Sequence, residues 1–388
     1  MSDLLFLAHR VPYPPDRGDK IRGFHILRHL AARQRVHLVA FADDLADRHP
    51  PAAFTDPLAS CTIVPRTKAN ASAAIQALIG GGPISLTAFA HPALRAAVTR
   101  TIADHPIDRI HCYSGQMAQY LPPDLPTMMD FGDVDSAKFA QLATGARAPI
   151  SWLLRREARL LGAFERSIAA RVEASVFVTD AEAQLFCDRG AEGRIATVEN
   201  GIDAQFFDPV AAFVPIDAPT PLVVFTGQMD YRPNIDAVTW FVREALPLLL
   251  ETHSAARFAI VGRAPTAAVR AMASDRVIVT GAVDDVRGWL AAATVCVAPL
   301  RLARGIQNKV LEAMAMARPV VASPAAAEGI DHDGAIRIAD DARACADTIA
   351  GLIDDPAAAT RLGDAARARV LTRYDWPSRL AALDVLTP

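Results

Sequence analysis

Residues 295–323 read VCVAPLRLARGIQNKVLEAMAMARPVVAS, and this stretch decides the fold class. It opens on an apolar run at 295–299 and closes on another at 319–323, neither with polar alternation. Such runs suit strands buried on both faces of a parallel sheet. Between them Ile306, Val310, Ala313, Met314 and Ala317 recur at helical spacing on one face. Two parallel strands need a crossover, and a helix is the usual one, so the segment reads as a strand–helix–strand unit.

Working outward, the same alternation fills the chain. Further strand candidates lie at 222–226, 258–261, 277–280 and 335–338, and in the first half at 4–8, 36–41, 109–113, 127–131, 175–179 and 196–199. Helical patterns at 21–33, 151–170, 235–250 and 307–317 separate them. Strands alternating with helices imply doubly wound α/β architecture, with about six strands to each half. Residues 206–221 (FFDPVAAFVPIDAPTP) carry four prolines and no periodicity, which reads as a linker. The expected division is a domain at 1–205, a linker at 206–221, a domain at 222–370, and a tail at 371–388 able to cross back onto the first domain.

Composition narrows the function classes. A chain of 388 residues accommodates two domains, and 52% hydrophobic with 21% charged residues excludes a disordered chain. With 40 Lys+Arg against 43 Asp+Glu the net charge is −3, so there is no global basic field and no nucleic-acid partner is expected. No long uncharged apolar stretch spans a membrane, and MSDLLFLAHRVPYPPDRGDK lacks the pattern of a secretory signal. The five cysteines are scattered and never in C-x-x-C spacing, which fits a reducing compartment and no zinc site. The expected location is cytoplasmic.

Ligands of doubly wound sheets bind beyond the carboxyl ends of strands, so two loops stand out. In the first, HRVPYPPDRGDKIR at 9–22, a helix begins near Gly18, and its unsatisfied N–H groups favour an anion. From 10 to 28 there are five cations (Arg10, Arg17, Lys20, Arg22, Arg28) and two acids (Asp16, Asp19), a local charge of +3. No dinucleotide fingerprint and no P-loop is present. The second loop, 299–312, collects Arg301, Arg304, Gly305, Lys309 and Glu312 at a strand end. A nucleoside diphosphate would use all of these: cations and helix amides for the phosphates, and Glu312 for the ribose hydroxyls. The bland alternative is a Lys309–Glu312 surface pair worth only ~0.2–0.5 kcal/mol.

Several segments in order resemble the retaining glycosyltransferases of the GT-B fold, specifically glycosyltransferase family 4. They are Asn200-Gly201-Ile202-Asp203, Phe225-Thr226-Gly227, Ile260-Val261-Gly262, the stretch 281–286 (GAVDDV) and 309–323 (KVLEAMAMARPVVAS). The opening loop, 129–136 (MDFGDVDS) and 227–234 (GQMDYRPN) further resemble the sugar transferases associated with exosortase-type exopolysaccharide loci. The resemblance implies two Rossmann-like domains with the active site in the cleft between them. It implies transfer of a sugar from a nucleotide sugar, with retention, to a glycan or lipid-linked exopolysaccharide acceptor, with no cofactor and no metal. Peripheral contact with the inner face of the cytoplasmic membrane is compatible with such an acceptor.

On this resemblance, donor binding falls to Gly18, Gly227, Gly262, Val283, Arg301, Gly305, Lys309 and Glu312. Acceptor binding falls to Asp16, Arg17, Lys20 and Arg22. Arg301 and Lys309 would neutralise the leaving diphosphate, and the leaving phosphate itself or Asp133 would take the acceptor proton, with His111 the other candidate. The sequence also departs from the family. Arg304 stands where the family has the first glutamate of its pair, Gln228 where it has an arginine, Pro233 where it has a lysine, and Gly132 where it has a histidine. A nucleotide-sugar 2-epimerase of the same fold, a two-domain binding protein without chemistry and a non-catalytic scaffolding relative are the alternatives.

Overall fold

The computed structural model describes residues 3–15, 18–303 and 306–386. The chain divides into two compact units, Met1–Glu199 with Leu380–Pro388, and Asn200–Arg379. The first holds strands β1 (Asp3–Ala8), β2 (Arg35–Ala42), β3 (Ser60–Pro65), β4 (Ile107–Tyr113), β5 (Thr127–Gly132), β6 (Ala174–Phe177) and β7 (Ile195–Thr197). The second holds β8 (Leu222–Thr226), β9 (Arg257–Val261), β10 (Val277–Gly281), β11 (Val295–Ala298), β12 (Val320–Ala322) and β13 (Arg337–Ile338).

Each unit is built on one sheet whose strands pair in parallel. The orders are β3-β2-β1-β4-β5-β6-β7 and β10-β9-β8-β11-β12-β13. Both reverse direction beside the unit's first strand, so the switch points lie between β1 and β4 and between β8 and β11. Ligand sites of such sheets open there, beyond the carboxyl ends of the strands. The apolar runs of the sequence are the central strands: β1 and β8 are buried along their whole length.

The first sheet has seven strands where the sequence led to about six. The additional one, β3 (SCTIVP), is an edge strand buried only at Val64, so it lacks the continuous apolar run that marks its neighbours. At the other extreme β13 is two exposed residues, shorter than the run expected at 335–338. The helical pattern expected at 235–250 is broken in the middle. Helix Arg232–Trp240 passes into a π-helical turn, Phe241–Ala245, before helix Leu246–Thr252. Pro247 has no N–H to give and its ring crowds the preceding turn, which accounts for the wider winding.

Residues 206–221 form no regular element. Arg287 ties this stretch to the second unit, donating to the carbonyl of Phe206 (3.1 Å) and lying over its ring at 4.0 Å. At the other end of the chain, helix Trp376–Leu386 runs into the first unit. There Asp384 pairs with His29 at 2.8 Å and with Arg33 at 3.3 Å.

Candidate functional site

In the second unit the turns after β8 and β9 touch. A Cβ on Gly262 would lie 1.7 Å from the carbonyl oxygen of Gly227, and one on Gly227 would lie 2.7 Å from the Asn234 amide nitrogen. No side chain fits at either position, so the two glycines let backbone approach backbone. Hydrogen bonds fix the contact: Gly227 N–H donates to Val261 (3.0 Å), Met229 N–H to Arg263 (2.9 Å) and Gly262 N–H to Gly281 (3.2 Å). The carboxyl ends of β8, β9 and β10 are thereby laced into one ledge.

Lys309 projects onto that ledge from helix Asn308–Ala315. Its Nζ donates to Asn234 Oδ1 at 2.8 Å and stands 5.0 Å from the centre of the Phe225 ring. The Asn234 amide in turn donates to the carbonyl of Gln228 at 2.9 Å. Asn234 is therefore a two-ended link between the glycine turn and the lysine. Sequence reasoning passed over it: it lies within the stretch 227–234 already singled out, but its partner is 75 residues away and no spacing rule joins them.

Glu312 follows Lys309 by three residues on the same helix. Burial pushes the Glu312 carboxyl up to about 7, opposed by the charge of Lys309. Burial likewise pulls Lys309 down to about 8, opposed by Glu312. Both side chains are half-buried, unlike the exposed surface pair of the bland alternative. At the start of this helix the Asn308 Oδ1 is buried without a partner among the described residues, and no side chain caps the first turn. A partly desolvated cation, a partly desolvated carboxyl and open helix amides converge at the switch point of the sheet.

The other donor candidates are placed as follows. Val283 packs, half-buried, against the core of the second unit in the loop after β10. Arg301 is exposed and lies 4.0 Å from Asp236. Arg263 reaches the Gln228 side chain at 3.4 Å. Gly18 is the exposed first residue of helix Gly18–Ala31 in the first unit. Gly305 and Arg304, with Asp16 and Arg17, lie outside the described residues.

Lys20 and Arg22, assigned to the acceptor by the resemblance, are both engaged within the first unit. Lys20 is buried, donating to Asp47 (2.6 Å) and to the Tyr13 carbonyl (2.9 Å). Arg22 is 2% exposed, pairs with Asp130 at 2.8 Å and donates to the Val198 carbonyl at 2.8 Å. Arg10 likewise bridges Asp19 (2.8 Å) and Asp43 (2.9 Å). Three of the cations of the first stretch thus meet acids from other elements, Arg10 and Lys20 with Asp43 and Asp47, which follow β2, and Arg22 with Asp130 on β5. These partners are far from the loop in sequence.

His111, the other candidate proton acceptor, is enclosed in the first unit. It is 1% exposed within β4, stacked on Phe6 with ring centres 5.0 Å apart, and neither ring nitrogen has a partner among the described residues. Burial pulls it down to about 4, so it is neutral and shut away from solvent at ordinary pH. Asp133 is more open, and Lys138 binds it at 2.7 Å and Asp135 at 3.1 Å. Gly132, where the family has histidine, has φ +73°, in the left-handed region that a glycine enters freely.

Residues 220–355 match the family model described as glycosyl transferases group 1. A search of curated proteins finds no match. Among solved structures, sucrose-phosphate synthase from Thermosynechococcus elongatus is similar over 100% of this chain and 98% of its own, with TM-score 0.71 and 18% identity. HepE of Anabaena, in complex with UDP and glucose, is similar over 99% of both chains, with TM-score 0.68 and 14% identity. WaaG, a glycosyltransferase involved in lipopolysaccharide biosynthesis, matches over 99% of both chains, with TM-score 0.68 and 17% identity. At these identities the structural likeness speaks for the fold, while the match over the second unit speaks for the chemistry. The chain has the GT-B architecture of two Rossmann-like units, matches the glycosyl transferases group 1 model over most of its second, and is a glycosyltransferase.

Proposed function

We propose that the chain moves a sugar from a nucleoside-diphosphate sugar to a glycan acceptor, with retention at the anomeric carbon. The observation that carries this reading is the Lys309–Asn234 link beside the touching Gly227 and Gly262 turns, with Glu312 one helical turn farther on. Backbone amides, a desolvated cation and a helix start together suit a diphosphate. The half-buried Glu312 carboxyl suits the ribose hydroxyls. UDP is the first base to test, since solved complexes of HepE contain UDP or UDP-glucose.

As the glycosidic bond breaks, charge grows on the departing diphosphate, and Lys309 with the helix amides stabilises it most at that point. Exposed Arg301 adds a second cation when it turns inward. The acceptor proton passes to the leaving phosphate oxygen, since His111 is buried and Asp133 is held by Lys138. The resemblance to exopolysaccharide transferases makes a lipid-linked glycan the acceptor of choice.

Calorimetric titration with UDP, GDP, ADP and CMP, without and then with magnesium, tests the donor half. One diphosphate is expected to bind regardless of magnesium, with at least about tenfold weaker binding in Glu312→Ala and Lys309→Ala, a loss of about 1.4 kcal/mol. No binding by any of the four would sink the reading.

A further inference from the structure

The turn after β8, 227–231 (GQMDY), carries no cation of its own, and Asp230 gives it a formal negative charge. Two cations nevertheless reach it from elsewhere in the second unit. Lys309 reaches it through Asn234, whose amide nitrogen donates to the Gln228 carbonyl at 2.9 Å. Arg263, two residues beyond β9, reaches it directly, its Nη2 donating to Gln228 Oε1 at 3.4 Å. The backbone beneath is fixed too, since Met229 N–H donates to the Arg263 carbonyl at 2.9 Å. Gln228 is therefore gripped at its carbonyl by the lysine link and at its side chain by the arginine.

Both cations are oriented by amide oxygens, Lys309 by Asn234 Oδ1 and Arg263 by Gln228 Oε1. A carboxylate in either place would cancel the charge that it orients. An amide oxygen turns the cation and leaves its charge intact. The touching turns at Gly227 and Gly262 keep side chains off the backbone beside both. Arg263 is half-buried where Arg301 is exposed, so it has less freedom left to lose when an anion arrives. Its guanidinium also offers a fork of N–H donors that matches two oxygens of one phosphate, whereas lysine offers a point charge.

We propose that Arg263 is a phosphate-binding residue of the ledge and that Gln228 positions it, so that a diphosphate is taken by Lys309 and Arg263 together. The proposal deepens the nucleoside-diphosphate reading and rests on it for the identity of the ligand. It assigns a residue that no motif marks. Gln228 stands where the resemblance has an arginine, and the charge comes instead from the turn after the neighbouring strand, 35 residues later.

Titration of the full chain with inorganic pyrophosphate and with UDP tests it, because pyrophosphate offers the two phosphates without the nucleoside. Arg263→Gln should bind both at least about tenfold more weakly, while Arg270→Gln, at an exposed residue of the same unit, should change neither. The double variant Arg263→Gln with Gln228→Arg returns one guanidinium to the turn and should recover binding to within about threefold of the unaltered chain. Gln228→Ala leaves the arginine charged but unheld and should weaken pyrophosphate binding about threefold, which keeps the test open where Arg263→Gln does not fold. No binding of pyrophosphate by the unaltered chain would overturn the proposal, as would unchanged binding in Arg263→Gln or in Gln228→Ala. So would a loss in Arg263→Gln that Gln228→Arg fails to recover, which would make Arg263 a structural residue of the turn. Pyrophosphate binding that follows these variants without binding of UDP, GDP, ADP or CMP would remove the nucleotide reading and leave the phosphate assignment standing.

Discussion

Lys309 and Glu312 each pay for their partial burial with a displaced titration, and the displacements run toward each other. Between the ordinary carboxylate range and about 7 the folded state keeps a proton on Glu312 that the unfolded chain has lost, so stability falls as pH rises through this window. Between about 8 and the ordinary lysine range the folded state has lost a proton that the unfolded chain keeps, so stability rises again. Thermal melts over this range should therefore show the contribution of this pair at its lowest near pH 7 to 8, and the minimum should flatten in the Lys309→Met, Glu312→Gln double variant. Diphosphate affinity follows a different rule. It needs the lysine charged, so UDP binding should weaken as pH rises above about 8, and Lys309→Arg should move that loss to higher pH. Asn234→Ala removes both ends of the link between lysine and glycine turn. It should cost roughly 1–3 kcal/mol of stability by denaturant unfolding and weaken UDP binding in a protein that still folds.

At the scale of elements, the turns after β8 and β9 are the least tolerant part of the second unit. Gly262→Ala would drive a methyl against the Gly227 carbonyl. Backbone on both sides leaves little room for relaxation, so the variant should lose at least ~1–3 kcal/mol, read as a lowered denaturation midpoint. In the first unit the pairing of helix Gly18–Ala31 with β5 through Arg22 and Asp130 is a buried charge pair. Arg22→Ala leaves the buried Asp130 carboxylate without its cation, with the Gly132 N–H at 3.0 Å still donating to it, and should destabilise by roughly 3–5 kcal/mol. Arg22→Ala with Asp130→Ala together should recover much of that loss. An acceptor-binding arginine would instead change transfer kinetics with little effect on melting.

For the whole molecule, two compact units with separate cores should unfold with distinguishable transitions. A diphosphate held by the second unit should raise that unit's transition selectively. At a hundred times its Kd the gain is about 2.7 kcal/mol, visible by scanning calorimetry as a shift of one transition rather than two. A uniform shift of both would mean that the ligand engages the first unit equally.

The sequence by itself determined the alternation of buried strands and amphipathic helices, and with it the two parallel sheets, because an apolar run such as LVVFT or VCVA has no stable place except inside a sheet covered on both faces. It determined the composition of the loop and helix proposed to hold the donor too, since Lys309 and Glu312 are close in the chain and share one helix. Where charge partners come from distant strands, the sequence was silent. The basic loop at 9–22 reads as a binding surface until Asp43, Asp47 and Asp130 arrive from other elements and pair with Arg10, Lys20 and Arg22. His111 reads as a cleft residue until packing closes Phe6 over it. Asn234 acquires its role only when the start of one helix meets Lys309 on another, 75 residues later. Local pattern fixes which segments are buried, because burial depends on the periodicity of each segment alone. Which charges remain free for a ligand depends on what the rest of the fold brings within hydrogen-bonding distance, and only the tertiary structure decides that.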